Sequence, residues 1–271
     1  MYRKRFGLTG HPMPKDARGK TFFDQGEGYG RLTKAFSRLL EEPGLGVLTG
    51  EAGVGKTAAI RNLCGGLPKP DYLVIYHCDT AVSPLDLYRT LAIELGVRPS
   101  HRRAQLWTDI KKALVHMVDE RNTAPVLVID EAQHLSDRFL IDLSGFLNFA
   151  FDSRDILTMW LVGLSPLRRN LQMQQHAPLA MRVGAHVHLE PWTERDGFAA
   201  LVHASLEAVG AQKKIISDPA MEMLFRGSRG LLRLGAKILR ASLRCAHEAK
   251  QDFVDEHIME QAIEEMMPAQ P

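Results

Sequence analysis

The residues best equipped for chemistry stand in Leu45–Thr57, LGVLTGEAGVGKT. A short apolar run leads into Gly50, Gly53 and Gly55 and ends in Lys56 and Thr57, the P-loop pattern G-x-x-x-x-G-K-[ST]. Glycines let a backbone wrap closely round a phosphate and aim its N–H groups inward. The helical signal that follows, TAAIRNLC, sets a positive helix end against the same anion. In such a loop Gly50, Glu51, Ala52, Gly53, Val54, Gly55 and Ala58 form the cradle. Lys56 reaches the β- and γ-phosphates, and the Thr57 hydroxyl ligates Mg²⁺.

A second candidate is Val126–Glu131, VLVIDE. Its Val, Leu and Ile residues predict a strand buried on both faces, ending in two adjacent carboxylates. Downstream of a P-loop, Asp130 is the acid that holds Mg²⁺, and Glu131 the one that polarises the attacking water. His134, in DEAQHL, is expected to face solvent or close a turn, with contact to phosphate or a partner as the alternative. After a third apolar run, Ile156–Val162, Ser165 is the nearest polar side chain for the γ-phosphate. Standing before Pro166, it suits a helix N-cap equally well. Histidines 176, 186, 188 and 203 lack the company of a metal site. His186 and His188 read as one face of an edge strand.

These groups need a scaffold. Strand-like runs at 45–48, 72–78, 126–131, 156–162 and 185–189 alternate with amphipathic helical patterns. A short aromatic loop, TFFD, precedes the first long helix. A further helix starts at Pro84, and another carries Leu106 to Val118, with Lys111 and Lys112 on its outer side. From Pro191 the strand signals stop. Helices are expected over 193–209, 218–226, 231–247 and 255–267. The chain therefore divides into a basic arm (1–20), an α/β core (21–190), an all-helical lid (191–267) and a short tail (268–271).

Local charge is uneven, although the net charge is only +2. The arm holds six Lys/Arg against one acid. It reads as a solvated tail, a partner-binding arm or a rim to the nucleotide pocket, with Tyr2, Phe6 and Leu8 able to dock on the core. The loop VRPSHRR presents Arg98, Arg102 and Arg103. Arg233, Lys237, Arg240 and Arg244 form one helical stripe, either a solvated face or one directed at a polyanion. Residues 251–267 carry six acids and no Lys or Arg, an available partner in cis or in trans.

With 45% hydrophobic and 24% charged residues in a chain of 271, a globular protein with a real core is expected. Cys64, Cys78 and Cys245 lie far apart, which points to a reducing compartment without a disulfide framework or zinc site. No apolar run approaches the roughly 18–20 residues of a membrane span, and the N-terminus lacks a secretory h-region. A cytoplasmic location without membrane contact is the expectation.

VLTGEAGVGKT, VLVIDEAQHL and WLVGLSPLRRNL, in that order, resemble the AAA+ ATPases, and more narrowly the transposition regulators of the TnsC/TniB type. The chain is similar also to the ExeA/GspA-type ATPases, which share DEAQ and V-G-x-x-x-L-R. The resemblance implies a five-stranded parallel sheet flanked by helices and followed by the helical lid. It implies ATP and Mg²⁺ as ligands and makes Lys56, Glu131 and Arg182 the catalytic groups. Arg182, in PLAMRVGAHVHL, matches the arginine supplied in trans to the next subunit's γ-phosphate. Arg233, in GLLRLGAKIL, matches the lid arginine that senses nucleotide in cis. Leu164 stands where the family usually has a polar residue. Secretion-type relatives carry a membrane span and a wall-binding extension, and the lack of both here favours the transposition branch. That branch implies a ring or helical filament on duplex DNA, backbone contacts through Arg98, Arg102 and Arg103, and recruitment of a transposase with a target selector. The other readings are secretion assembly, helicase loading, and a nucleotide-gated scaffold in which hydrolysis matters little.

Overall fold

The computed structural model describes residues 2–17, 26–78 and 83–266. The TFFD loop, Arg18, Lys20 and the tail at 268–271 lie outside the described residues. The elements in chain order are α1 (Tyr2–Arg5), α2 (Glu27–Glu41), β1 (Leu45–Gly50), α3 (Lys56–Gly65), β2 (Tyr72–His77), α4 (Pro84–Glu94) and α5 (Arg103–Arg121). Then come β3 (Ala124–Ile129), α6 (Asp137–Phe146), β4 (Thr158–Gly163), α7 (Pro166–Leu171), α8 (Ala177–Ala180) and β5 (Val183–Leu189). Four helices follow: α9 (Arg195–Ala208), α10 (Asp218–Ser228), α11 (Leu232–Glu248) and α12 (Glu256–Met266).

The five strands form one parallel sheet in the order β2-β3-β4-β1-β5. β1 and β4 are buried along their whole length, as sheet-centre strands must be when helices cover both faces. Leu45, Val47, Leu127, Ile129, Met159 and Leu161 point into a core shared with α4, α5 and α6. On the opposite face α2 lies against β1 and β5, and its Phe36 stacks on Trp160 with ring centroids 5.9 Å apart. The Thr158 hydroxyl donates to the Leu39 carbonyl near the end of α2 at 2.7 Å. β5 is an edge strand whose exposed positions include Gly184 and His186, while Ala185, Val187 and Leu189 are buried.

By their contacts the residues gather into two compact units. One comprises 27–50 and 66–189 and holds the sheet; the other comprises 1–26, 51–65 and 190–271. In this second, helical unit Phe198, Leu206, Met221, Leu224, Ile238, Leu239 and Ile258 form a core. Ser217 caps α10 by accepting the Ala220 N–H at 3.1 Å, ahead of Asp218-Pro219. α9 starts at Arg195 rather than Thr193, because Trp192 is bonded through its N–H to the Gly230 carbonyl at 3.1 Å and Arg195 turns to Asp218 and Glu222.

The arm packs into this unit. Tyr2, Phe6 and Leu8 are buried in its core, and the Tyr2 hydroxyl meets His11 Nδ1 at 2.6 Å. The α11 stripe divides its duties. Arg240 donates to the carbonyls of Pro12 and Met13, and Arg244 lies 3.6 Å from Glu265. One of the C-terminal acids is thus partnered in cis. No helix among the described residues is long and apolar enough to cross a membrane.

Candidate nucleotide-hydrolysis site

The P-loop is built where β1 ends at Gly50 and α3 begins at Lys56. Gly53 and Gly55 take φ of +87° and +106°, which L side chains rarely adopt. A Cβ on Gly53 would also sit 2.9 Å from the Cβ of Arg233. That crowding reflects a direct bond: the Arg233 N–H donates to the Gly53 carbonyl at 3.0 Å. The start of α11 is therefore pinned to the loop, and the arginine singled out from the lid does stand beside it. Lys56 is buried, and its Nζ donates to the Glu51 carbonyl at 2.9 Å, closing the loop on itself. Val54 is buried beneath the loop, whereas Glu51 and Ala52 are exposed; Thr57 and Ala58 are half-buried at the start of α3.

In the sheet unit, the C-terminal ends of β2, β3, β4 and β1 share one edge, where open α/β sheets bind ligands. Asp130 lies there just past β3 and is 3% exposed. Its Oδ1 accepts the Glu131 N–H at 2.9 Å, and its Oδ2 accepts the Tyr76 hydroxyl at 3.0 Å. Burial, and then the Asp130 carboxylate, push the Tyr76 phenol above its ordinary range. Tyr76 was not singled out from the sequence, since an aromatic residue in a strand has an ordinary structural reason to be there.

Glu131 is exposed and held at φ +53°, a left-handed conformation that aims the side chain off the strand end. Gln133, in the single 3₁₀ turn that follows, donates from Nε2 to Glu131 Oε2 at 2.7 Å. Its Oε1 accepts the Leu164 N–H at 2.9 Å, just beyond β4. Gln133 is thus a second residue the sequence left unassigned, although it stands inside the DEAQ motif. Ser165 stands at the N-cap position ahead of Pro166, but it is exposed, has helical φ/ψ and its side chain makes no cap hydrogen bond. His134 is exposed, at the end of the same 3₁₀ turn.

Arg182 lies at the other end of the sheet. It immediately precedes Val183, which pairs with Leu45, the first residue of β1. The Gly50 end of β1 is about 17 Å further along at 3.3 Å per residue. Arg182 forms an ion pair with Asp152 and lines a cleft of about 760 Å³ with Arg38, Glu42, Asp155 and Met181. The three loop arginines differ in setting. Arg98 and Arg102 are exposed. Arg103 pairs with Asp142, which also accepts the Tyr88 hydroxyl, and lies 4.9 Å over the Trp107 ring.

Lys111 departs from its expected place outside. Its Nζ lies 5.1 Å from the Trp107 ring centroid and 4.6 Å from that of Phe149, and it donates to the carbonyls of Gly145 and Asn148. A bare helical period could not reveal this, because the rings that draw the ammonium inward come largely from the segment around the end of α6. Burial, and then the charge of Arg182, lower its pKa.

A parallel five-stranded sheet with a P-loop after β1 and an acidic pair after β3 is the fold of the AAA+ ATPases. Residues 38–171 match the AAA domain family, a class that at the general level hydrolyses nucleotides. The chain is 28% identical over 242 residues to general secretion pathway protein A of Aeromonas hydrophila, covering 86% of this chain and 43% of that protein. It therefore spans less than half of that relative's length. Among solved structures, Cdc6p of Pyrobaculum aerophilum superposes with a TM-score of 0.69 at 18% identity, covering 99% of this chain and 72% of the other. The Drosophila ORC bound to DNA gives a TM-score of 0.74 at 16% identity, covering 99% and 65%.

Proposed function

We propose that the chain is an ATPase that acts between neighbouring copies, assembling with ATP on duplex DNA to regulate DNA transposition. The observation that carries the between-copies reading is the placement of Arg182. It stands at the sheet edge opposite to Asp130 and Glu131, further from them than a side chain can reach. Its charge therefore serves a triphosphate held by another copy, as arginine fingers do.

In this reading Lys56 and the P-loop N–H groups take the phosphates, and Arg233 responds to nucleotide at the loop to which it is bonded. The available donors suit Mg²⁺: Asp130 offers a hard carboxylate and Thr57 a hydroxyl. When bound, Mg²⁺ would neutralise charge on the β- and γ-phosphates. Glu131 takes a proton from the water that attacks the γ-phosphorus, the bond to the bridging oxygen breaks, and ADP and phosphate leave. Slow turnover then acts as a timer on assembly into a ring or filament.

The transposition assignment is supported by the motif resemblance to the TnsC/TniB type and by a fold shared with an ORC that is bound to DNA. Exposed Arg98 and Arg102 are the leading contacts to the DNA backbone, with Arg103 secondary because Asp142 already neutralises it. A transposase and a target selector are the remaining partners, in the cytoplasm. The similarity to general secretion pathway protein A favours a second reading, an ATPase of secretion assembly. Co-sedimentation with duplex DNA separates the two. The first predicts ATP-dependent binding whose affinity falls about 10³-fold between about 50 and 200 mM salt, given roughly six phosphate contacts. DNA binding that is absent, or indifferent to ATP, supports the second.

A further inference from the structure

We infer that Gln133 is a positioning residue for Glu131, tying the proposed base to the exit of β4. This rests on the hydrolytic reading above. The side-chain amide is used at both ends, and its orientation is forced. The Leu164 backbone can only donate, so it must face Oε1. Nε2 is then left to face Glu131, which accepts as a carboxylate. The bridge spans two segments 31 residues apart in sequence, at 2.9 Å and 2.7 Å.

The surroundings are shaped for the bridge. A Cβ on Gly163 would lie 2.6 Å from Gln133 Oε1 and 3.1 Å from the Gln133 backbone nitrogen, so a side chain there would displace the amide. Glu131 is exposed and sits on a backbone in the left-handed region, which is strained for a residue with a Cβ. An exposed glutamate would otherwise sample several rotamers. One oxygen fixed by Gln133 selects one of them and leaves the other oxygen open to water. With Leu164 carrying no polar group, Gln133 is the side chain through which a shift of the β4 exit reaches the carboxylate.

The test compares wild type, Gln133→Ala, Gln133→Glu and Gly163→Ala for steady-state ATP turnover, binding of a fluorescent ATP analogue, and thermal unfolding. Gln133→Ala is expected to lower kcat by about 10–100-fold while nucleotide affinity stays within about threefold, the mark of an interaction felt in the transition state. Gly163→Ala should do the same by displacing the amide. Gln133→Glu provides the readout that a merely structural role would not move. It keeps the side-chain length and the acceptor for the Leu164 N–H but loses the donor to Glu131. Its kcat should therefore fall by about 10–100-fold while nucleotide affinity and the unfolding midpoint stay near wild type.

Wild-type turnover in Gln133→Ala or in Gln133→Glu overturns the inference alone. Failure of wild type itself to bind or turn over ATP overturns the hydrolytic reading and the inference with it.

Discussion

At the scale of single residues, the chemistry turns on which groups are ionised and which are held. Glu131 is exposed, left-handed in backbone and fixed by one amide. Replacing its carboxylate by an amide removes the proposed base and little volume. Glu131→Gln should lower turnover by about 10²–10⁴-fold while retaining ATP and DNA binding; turnover at the wild-type rate would show that another group takes the proton. Cys64, near the end of α3, behaves oppositely to a reactive thiol, since burial pushes its pKa up to about 12. At pH 8 almost none of it is thiolate. Alkylation by iodoacetamide, followed by mass spectrometry, should be at least about 1000-fold slower for Cys64 in the folded chain than after unfolding. Rapid folded-state labelling would contradict the raised pKa of this thiol.

At the scale of elements, the parallel sheet arranges the chemistry by strand ends. The P-loop and the acidic pair were legible in the sequence because each is contiguous: a phosphate cradle needs its glycines, lysine and threonine in one run. The helices from residue 195 onward were legible from their period and caps, Ser217 above all. What depended on tertiary neighbours was not. Gln133 gains its role from Leu164, and Arg103 its ion pair from Asp142. Lys111 was drawn from its expected outward place by Trp107 and Phe149. That last case makes a prediction about α5 and α6. Lys111→Ala removes an ammonium from between aromatic faces and two hydrogen bonds to carbonyls around Gly145 and Asn148. Chemical denaturation should show a loss of about 1–2 kcal/mol, and a loss near zero would mean that the ammonium is solvated instead.

At the scale of the whole molecule, one arrangement within the sheet unit carries the proposed function. Asp130 and Glu131 stand past the C-terminal end of β3, and Arg182 lies at the other end of the sheet beside Asp152. The basic arm, for which the sequence left several roles open, packs into the core of the helical unit through Tyr2, Phe6 and Leu8, and its Pro12 and Met13 carbonyls accept from Arg240. No single copy brings Arg182 to its own acidic pair, so the account requires an asymmetric, head-to-tail contact between copies.

ATP turnover by mixed variants tests that requirement most directly. Lys56→Ala and Arg182→Ala should each be inactive alone, with ATP binding retained by the second. In an equimolar mixture whose co-assembly is verified by tag capture, random pairing joins an intact P-loop to an intact finger at one interface in four. Roughly a quarter of wild-type turnover should return. A co-assembled mixture that stays inactive, or an Arg182→Ala chain that turns over ATP unaided, would contradict the claim that one copy completes the cleavage held by the next.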